Sequence, residues 1–235
     1  MTGTKSRSVS SREINPVDYI ILDDKYKFES GLYPNLLIAK HRLASTKEVK
    51  RAARNLKLNI ENTAQEKNGN SYIGNILWEQ ALKLNLTSSP GGFTLNPRQF
   101  FDFGLLLDKG IEEKGKKVYD GSGKRVAIEE LKAIRDEIYG KRDPWRGEAL
   151  DAYFQNIRGN LYYFSDHRLV NGKLRAQRIE PLEECLMEGC YVDIRSMNRQ
   201  GLPTKKSEKG GINYWYPREN AVAWFLAGSL WADLD

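Results

Sequence analysis

The chain has few of the residues on which many enzymes and cross-linked proteins depend. It holds two cysteines and two histidines in 235 residues. Cys185 and Cys190 cannot form a disulfide framework. Their spacing is wider than a usual zinc pair, and no second pair completes a site. They read as two buried thiols, bridged only if a turn brings them together. No run approaches about 18 apolar residues, so no membrane span is expected. The N-terminus is polar and lacks the apolar stretch of a secretory signal, so export by that route is not expected. Localisation stays open, with surface display by another route compatible with the sequence.

A 40% hydrophobic fraction suffices for one sizeable core. Residues 1–15 read as a disordered segment, 16–235 as a single α+β domain. The net charge of +6 is unevenly spread. Lys40, Arg42, Lys47, Lys50, Arg51, Arg54 and Lys57 face only Glu48 within residues 40–57, an excess equal to that of the whole chain. Such a segment can hold phosphates, so a nucleic-acid-binding protein using this region is one reading. A charged, solvated helix face is the plainer alternative, and no aromatic residue is interleaved.

Tyr19–Leu22 and Leu36–Ala39 are short apolar runs suited to strands. Ser45-Thr46-Lys47-Glu48 resembles a capping box with Ser45 as N-cap, and predicts a helix to about Asn55 with Val49, Ala52, Ala53 and Leu56 inward. Glu66–Asn70 reads as a loop. The spacing of Ile73, Ile76, Leu77, Ala81 and Leu84 predicts a helix over 71–86. Further helices are expected over Pro97–Leu107 and Ala127–Tyr139, and a short one over Gly147–Phe154. Glu112–Lys124 reads as a charged hairpin or loop. Beyond it the pattern changes to short aromatic and β-branched runs: Leu161–Phe164, Cys190–Ile194, Ile212–Tyr216 and Ala221–Leu230. Helices mainly in the N-terminal two-thirds and short antiparallel strands toward the C-terminus make an α+β layout.

Candidate chemistry is thin. Asp120-Gly121-Ser122-Gly123-Lys124 lacks the spacing and the final Ser or Thr of a phosphate loop, and reads as a turn. Ser165-Asp166-His167 places three triad residue types side by side, but adjacent side chains point apart. His167 with Asp166 or Glu183 has no metal-site spacing, and a Cys185–His167 nucleophile pair lacks a supporting signature. The other carboxylates, Asp23, Asp24, Asp143, Glu148, Asp151, Glu183 and Glu184, read as a solvated face. No catalytic residue, metal or cofactor is therefore expected.

The C-terminal stretch carries more. Asn213-Tyr214-Trp215-Tyr216-Pro217 is dense in aromatics, which give large contact area at low entropy cost. From Ala221 the sequence alternates. In an extended chain Ala223, Phe225, Ala227 and Ser229 share one face, and Trp224, Leu226, Gly228 and Leu230 the other. The first set is small and coherent, while the second has no common chemistry.

This segment resembles the variable region of proteins diversified by diversity-generating retroelements, in particular the archaeal kind. The pattern Val-Ala-x-Phe-x-Ala-x-Ser-x-x-Ala-x-Leu is met at Val222, Ala223, Phe225, Ala227, Ser229, Ala232 and Leu234. Asp143-Pro144-Trp145-Arg146-Gly147-Glu148, Leu150-Asp151 and Gly201-Leu202-Pro203-Thr204 are faintly similar to the same group. The specific part covers about the last tenth of the chain. The resemblance implies a C-type-lectin-like fold, with 213–235 as variable region and no catalysis or bound calcium. The variable, ligand-contacting positions would be Trp224, Leu226, Gly228, Leu230, Trp231, Asp233 and Asp235. The partner would be a protein or cell-surface ligand.

Overall fold

The computed structural model describes residues 14–43, 46–58, 63–65, 71–73, 76–88, 91–114, 117–139, 146–209, 212–214 and 222–227. After a 3-10 turn at Pro16–Asp18, β1 (Tyr19–Leu22) pairs antiparallel with β2 (Leu36–Ala39), Tyr19 opposite Ala39. Helix α1 (Lys47–Asn55) follows. Its N-cap is Thr46, whose hydroxyl accepts from Val49 N at 3.3 Å, one residue beyond the expected Ser45. Val49 and Ala53 are buried and Ala52 and Leu56 half-buried, as their spacing predicts.

Residues 71–86 depart from expectation. They supply β4 (Ser71–Ile73), paired with β3 (Thr63–Gln65), and only then α2 (Trp78–Ser88). The buried positions of α2 are Leu82 and Leu84, while Leu77 stands outside the helix and is 70% exposed. The expected loop at 66–70 lies outside the described residues.

Helix α3 (Pro97–Glu112) is the centre of the core. Asn96 caps it, accepting from Gln99 N at 3.0 Å while Gln99 Oε1 accepts from Asn96 N at 3.0 Å, and Pro97 opens the first turn. Phe101, Phe103, Leu106 and Leu107 are fully buried. After α3, Asp120–Lys124 closes a tight turn in which Asp120 Oδ1 accepts from Ser122 N, Ser122 Oγ and Lys124 N. That carboxylate ties the loop to itself, so the glycines serve a turn. Helix α4 (Ile128–Tyr139) packs on α3 through Leu131, Ile134 and Ile138.

The expected short helix over 147–154 is instead β5 (Arg146–Ile157), a strand of 12 residues. Alanine, leucine and glutamate favour a helix locally, but pairing on both sides overrides that preference. The remaining strands are β6 (Asn160–Ser165), β7 (Arg168–Val170), β8 (Lys173–Arg175), β9 (Arg178–Pro181), β10 (Cys190–Val192), β11 (Ile212–Tyr214) and β12 (Val222–Ala227). A six-stranded antiparallel sheet has the order β10-β11-β12-β5-β6-β9, and β7 and β8 form a separate hairpin. Leu150, Ala152 and Phe154 of β5 join the α3 core, while Tyr153 meets Trp78 of α2, so β5 lies between two helices. The α+β layout holds, with the helices before residue 140 and the large sheet after it. No described helix is long and apolar enough to cross a membrane.

Candidate functional site

Strand β12 carries the start of the segment that the sequence marks as variable. It is an interior strand, paired with β5 on one side and β11 on the other. Val222 lies opposite Tyr153, and an irregularity precedes Trp224. Trp224, Phe225, Leu226 and Ala227 then fall opposite Ala149, Glu148, Gly147 and Arg146 in turn, and Leu226 also meets Asn213 of β11. Trp224 and Leu226 are thus placed by backbone register. Gly228, Leu230, Trp231, Asp233 and Asp235 lie outside the described residues, as do Trp215, Tyr216 and Asp143.

Next to β12, β5 organises a buried polar cluster. Asp151 Oδ2 accepts from His167 N at 2.7 Å, and Asp151 Oδ1 is bonded to His167 Nδ1; both side chains are 4% exposed. The Trp78 indole meets the imidazole edge-on at 5.3 Å between ring centres, while its Nε1–H donates to the Leu150 carbonyl at 2.6 Å. Tyr153 stacks on Phe164 at 4.5 Å. Asp166 turns the other way and accepts from Asn96 Nδ2 at 2.9 Å. Burial raises its pKa, which the Asn96 hydrogen bond partly offsets.

This geometry separates the members of Ser165-Asp166-His167. Their adjacency fixes a turn: His167 holds it to β5, and Asp166 holds it to the N-terminus of α3. The carboxyl partner of His167 is Asp151, not Asp166 or Glu183. An Asp-oriented imidazole is half of an acid–base pair. Its setting is nevertheless that of a structural clamp, since His167 is only 6% exposed and its Nδ1 is taken. Cys185 is elsewhere, packed with Cys190 against the main core and directing Sγ to Met187 Sδ at 3.9 Å. Both cysteines are half-buried, where buried thiols are expected from the sequence. Among the described residues, no group of three His, Cys, Asp or Glu side chains could hold a metal ion.

Three further buried charges, Arg98, Asp102 and Lys27, had no sequence signal. Arg98 and Asp102 pair at 2.7 Å within α3, and Tyr33 Oη donates to the same carboxyl at 2.6 Å. Lys27 Nζ donates to Asp24 Oδ1, to the Tyr33 carbonyl at 2.8 Å and to Asn35 Oδ1 at 2.9 Å. These side chains fasten the 23–35 loop.

The basic segment divides. Lys40 Nζ donates to Glu130 Oε1 at 2.6 Å, and its side chain is 8% exposed. Arg42 donates its backbone N–H to Glu137 Oε1 at 3.0 Å and its guanidinium to the Glu137 carbonyl, while His41 pairs with the other carboxylate oxygen at 2.7 Å. Two of the seven cations therefore bind this segment to α4. Lys47, Lys50, Arg51, Arg54 and Lys57 remain exposed.

Neither a protein-family model, nor a curated protein, nor a solved structure matches the chain.

Proposed function

We propose that this chain is a non-catalytic ligand-binding protein with a C-type-lectin-like fold, its C-terminal surface diversified by a retroelement of the kind described above. The interior position of β12 is the observation that carries the reading. A strand hydrogen-bonded on both sides is held by its backbone, and a ladder does not depend on which side chains it bears. The side chains of one face can then be exchanged while those of the other keep the register.

Phe225 and Ala227 fall opposite Glu148 and Arg146, and Trp224 and Leu226 opposite Ala149 and Gly147. The conserving and varying positions of the repeated pattern thus alternate with the sheet. Further support comes from the acid–base candidates, since His167 and Asp166 are taken up by fold contacts.

A library randomised at Trp224, Leu226, Gly228, Leu230, Trp231, Asp233 and Asp235 tests the reading. Most members should retain the parent circular dichroism and melt, and binders to a chosen protein should be selectable from it. Phe225→Asp and Ala227→Asp should unfold the chain. If random replacement of the first set unfolds it as often as the framework changes do, the reading fails. A neighbouring reverse transcriptase gene, with a near-copy of the C-terminal coding region differing at adenines, is the matching genomic expectation.

A further inference from the structure

Helix α1 presents two opposed faces. Val49, Ala53 and the half-buried Ala52 and Leu56 turn inward and pack with Leu84 of α2. Lys47, Lys50, Arg51 and Arg54 follow the i, i+3, i+4, i+7 spacing that places side chains on one stripe, and all four are exposed. None of them has an ion-pair partner among the described residues. Lys40 and Arg42, which sequence alone assigns to the same cluster, are held by α4. The free cations therefore form a line along one helix rather than a diffuse cloud.

From this we infer that the outer face of α1 is a docking surface for the phosphate backbone of double-stranded DNA, separate from the ligand site proposed at the C-terminus. Seven residues at about 1.5 Å rise extend the stripe for about 10 Å. One DNA strand places a phosphate about every 3.4 Å along the axis, so about three phosphates lie within reach. Insertion into a membrane interface needs an apolar helix face turned outward, and the apolar face of α1 is already packed on α2. The stripe carries no aromatic residue, which removes the stacking on which single-strand binding relies. A helix about 10–12 Å across matches the open groove of B-form DNA, whereas the major groove of A-form RNA is closed to it. Four exposed cations in one line suit contacts to phosphate oxygens, which position a protein on the duplex without reading its sequence.

The test is binding of the full chain to a mixed-sequence DNA duplex by fluorescence anisotropy across a salt series. Starting at about 50 mM salt, the slope of log affinity against log salt should be about −3. Lys50→Gln, Arg51→Gln and Arg54→Gln combined should weaken binding at least tenfold and bring the slope to about −1. A charge-matched variant with Lys132→Gln, Lys205→Gln and Lys209→Gln should bind as the parent does. Arg51→Gln alone should lower the slope by about 0.9, so the outcome does not hang on the triple variant's folding. No binding at low salt overturns the inference, as does equal loss in the charge-matched variant. Tighter binding to single strands, duplex RNA or anionic vesicles also overturns it. The α1 variants leave 213–235 intact, so their failure leaves the ligand reading standing.

Discussion

Removing Asp151 is expected to cost more than any single surface change, and the cost follows from its two bonds. Asp151 accepts both the backbone N–H and the ring nitrogen of His167, with each side chain 4% exposed. Hydrogen bonds to a carboxylate contribute roughly 1.5–3 kcal/mol each. Asp151→Ala leaves the His167 N–H and ring nitrogen buried without their partner, so about 3–5 kcal/mol of stability should be lost. His167→Phe alone leaves the Asp151 carboxyl facing a hydrocarbon edge and should cost about 2–4 kcal/mol. The double variant orphans less than the sum of the two. A cycle read by urea unfolding should give a coupling energy of about 1.5–3 kcal/mol. Additive losses, or a loss under about 1 kcal/mol for Asp151→Ala, would refute the clamp reading.

Two other perturbations follow from single contacts. Gly201 has φ +79°, and a Cβ there would meet the backbone of Pro97 and Arg98 at the first turn of α3. Gly201→Ala should therefore cost about 3 kcal/mol and lower the Tm by roughly 6–12 °C in a thermal scan; an unchanged Tm would show that α3 can retreat. Asp108 has its pKa pushed up to about 6 by burial, with the Arg135 guanidinium at 3.0 Å opposing the rise. Because the folded state holds this proton longer than the unfolded state, stability should fall as pH rises from about 4 to 6. The side chain is 17% exposed, which trims the effect to about 2 kcal/mol. Subtracting the profile of Asp108→Asn isolates it, and a difference that grows in the parent's favour with rising pH would overturn the assignment.

The helices and the C-terminal strands were legible wherever local chemistry and tertiary demand agree. Asn96 and Pro97 announce α3, and the spacing of Leu131, Ile134 and Ile138 announces α4. Strand β5 was not legible, because Glu148, Ala149, Leu150 and Ala152 favour a helix until partners on both edges are supplied. The Asp151–His167 clamp escaped for a related reason. Its partners sit on different elements, and proximity in sequence pointed to Asp166 instead. The basic segment was legible as a count of charges, but Lys40 and Arg42 are engaged by Glu130 and Glu137, about 90 residues away. What separates a paired cation from an open one is a contact that composition does not encode.

The strand order has a kinetic consequence. β12 comes later in the chain than every other described strand of the large sheet, yet it sits between β5 and β11 and joins the two parts of that sheet. The β5–β6–β9 part contains a hairpin closed by the two residues Arg158 and Gly159, and such tight pairs zip rapidly. The join must wait for Ala227 to find Arg146 across a long loop of chain, a high-contact-order step that loop entropy slows. Substitutions on β12 should thus act late on the folding path, raising the unfolding rate and leaving the earlier collapse untouched. A destabilising change on β12 should then loosen its grip on an already formed half-sheet without misdirecting the assembly of that half.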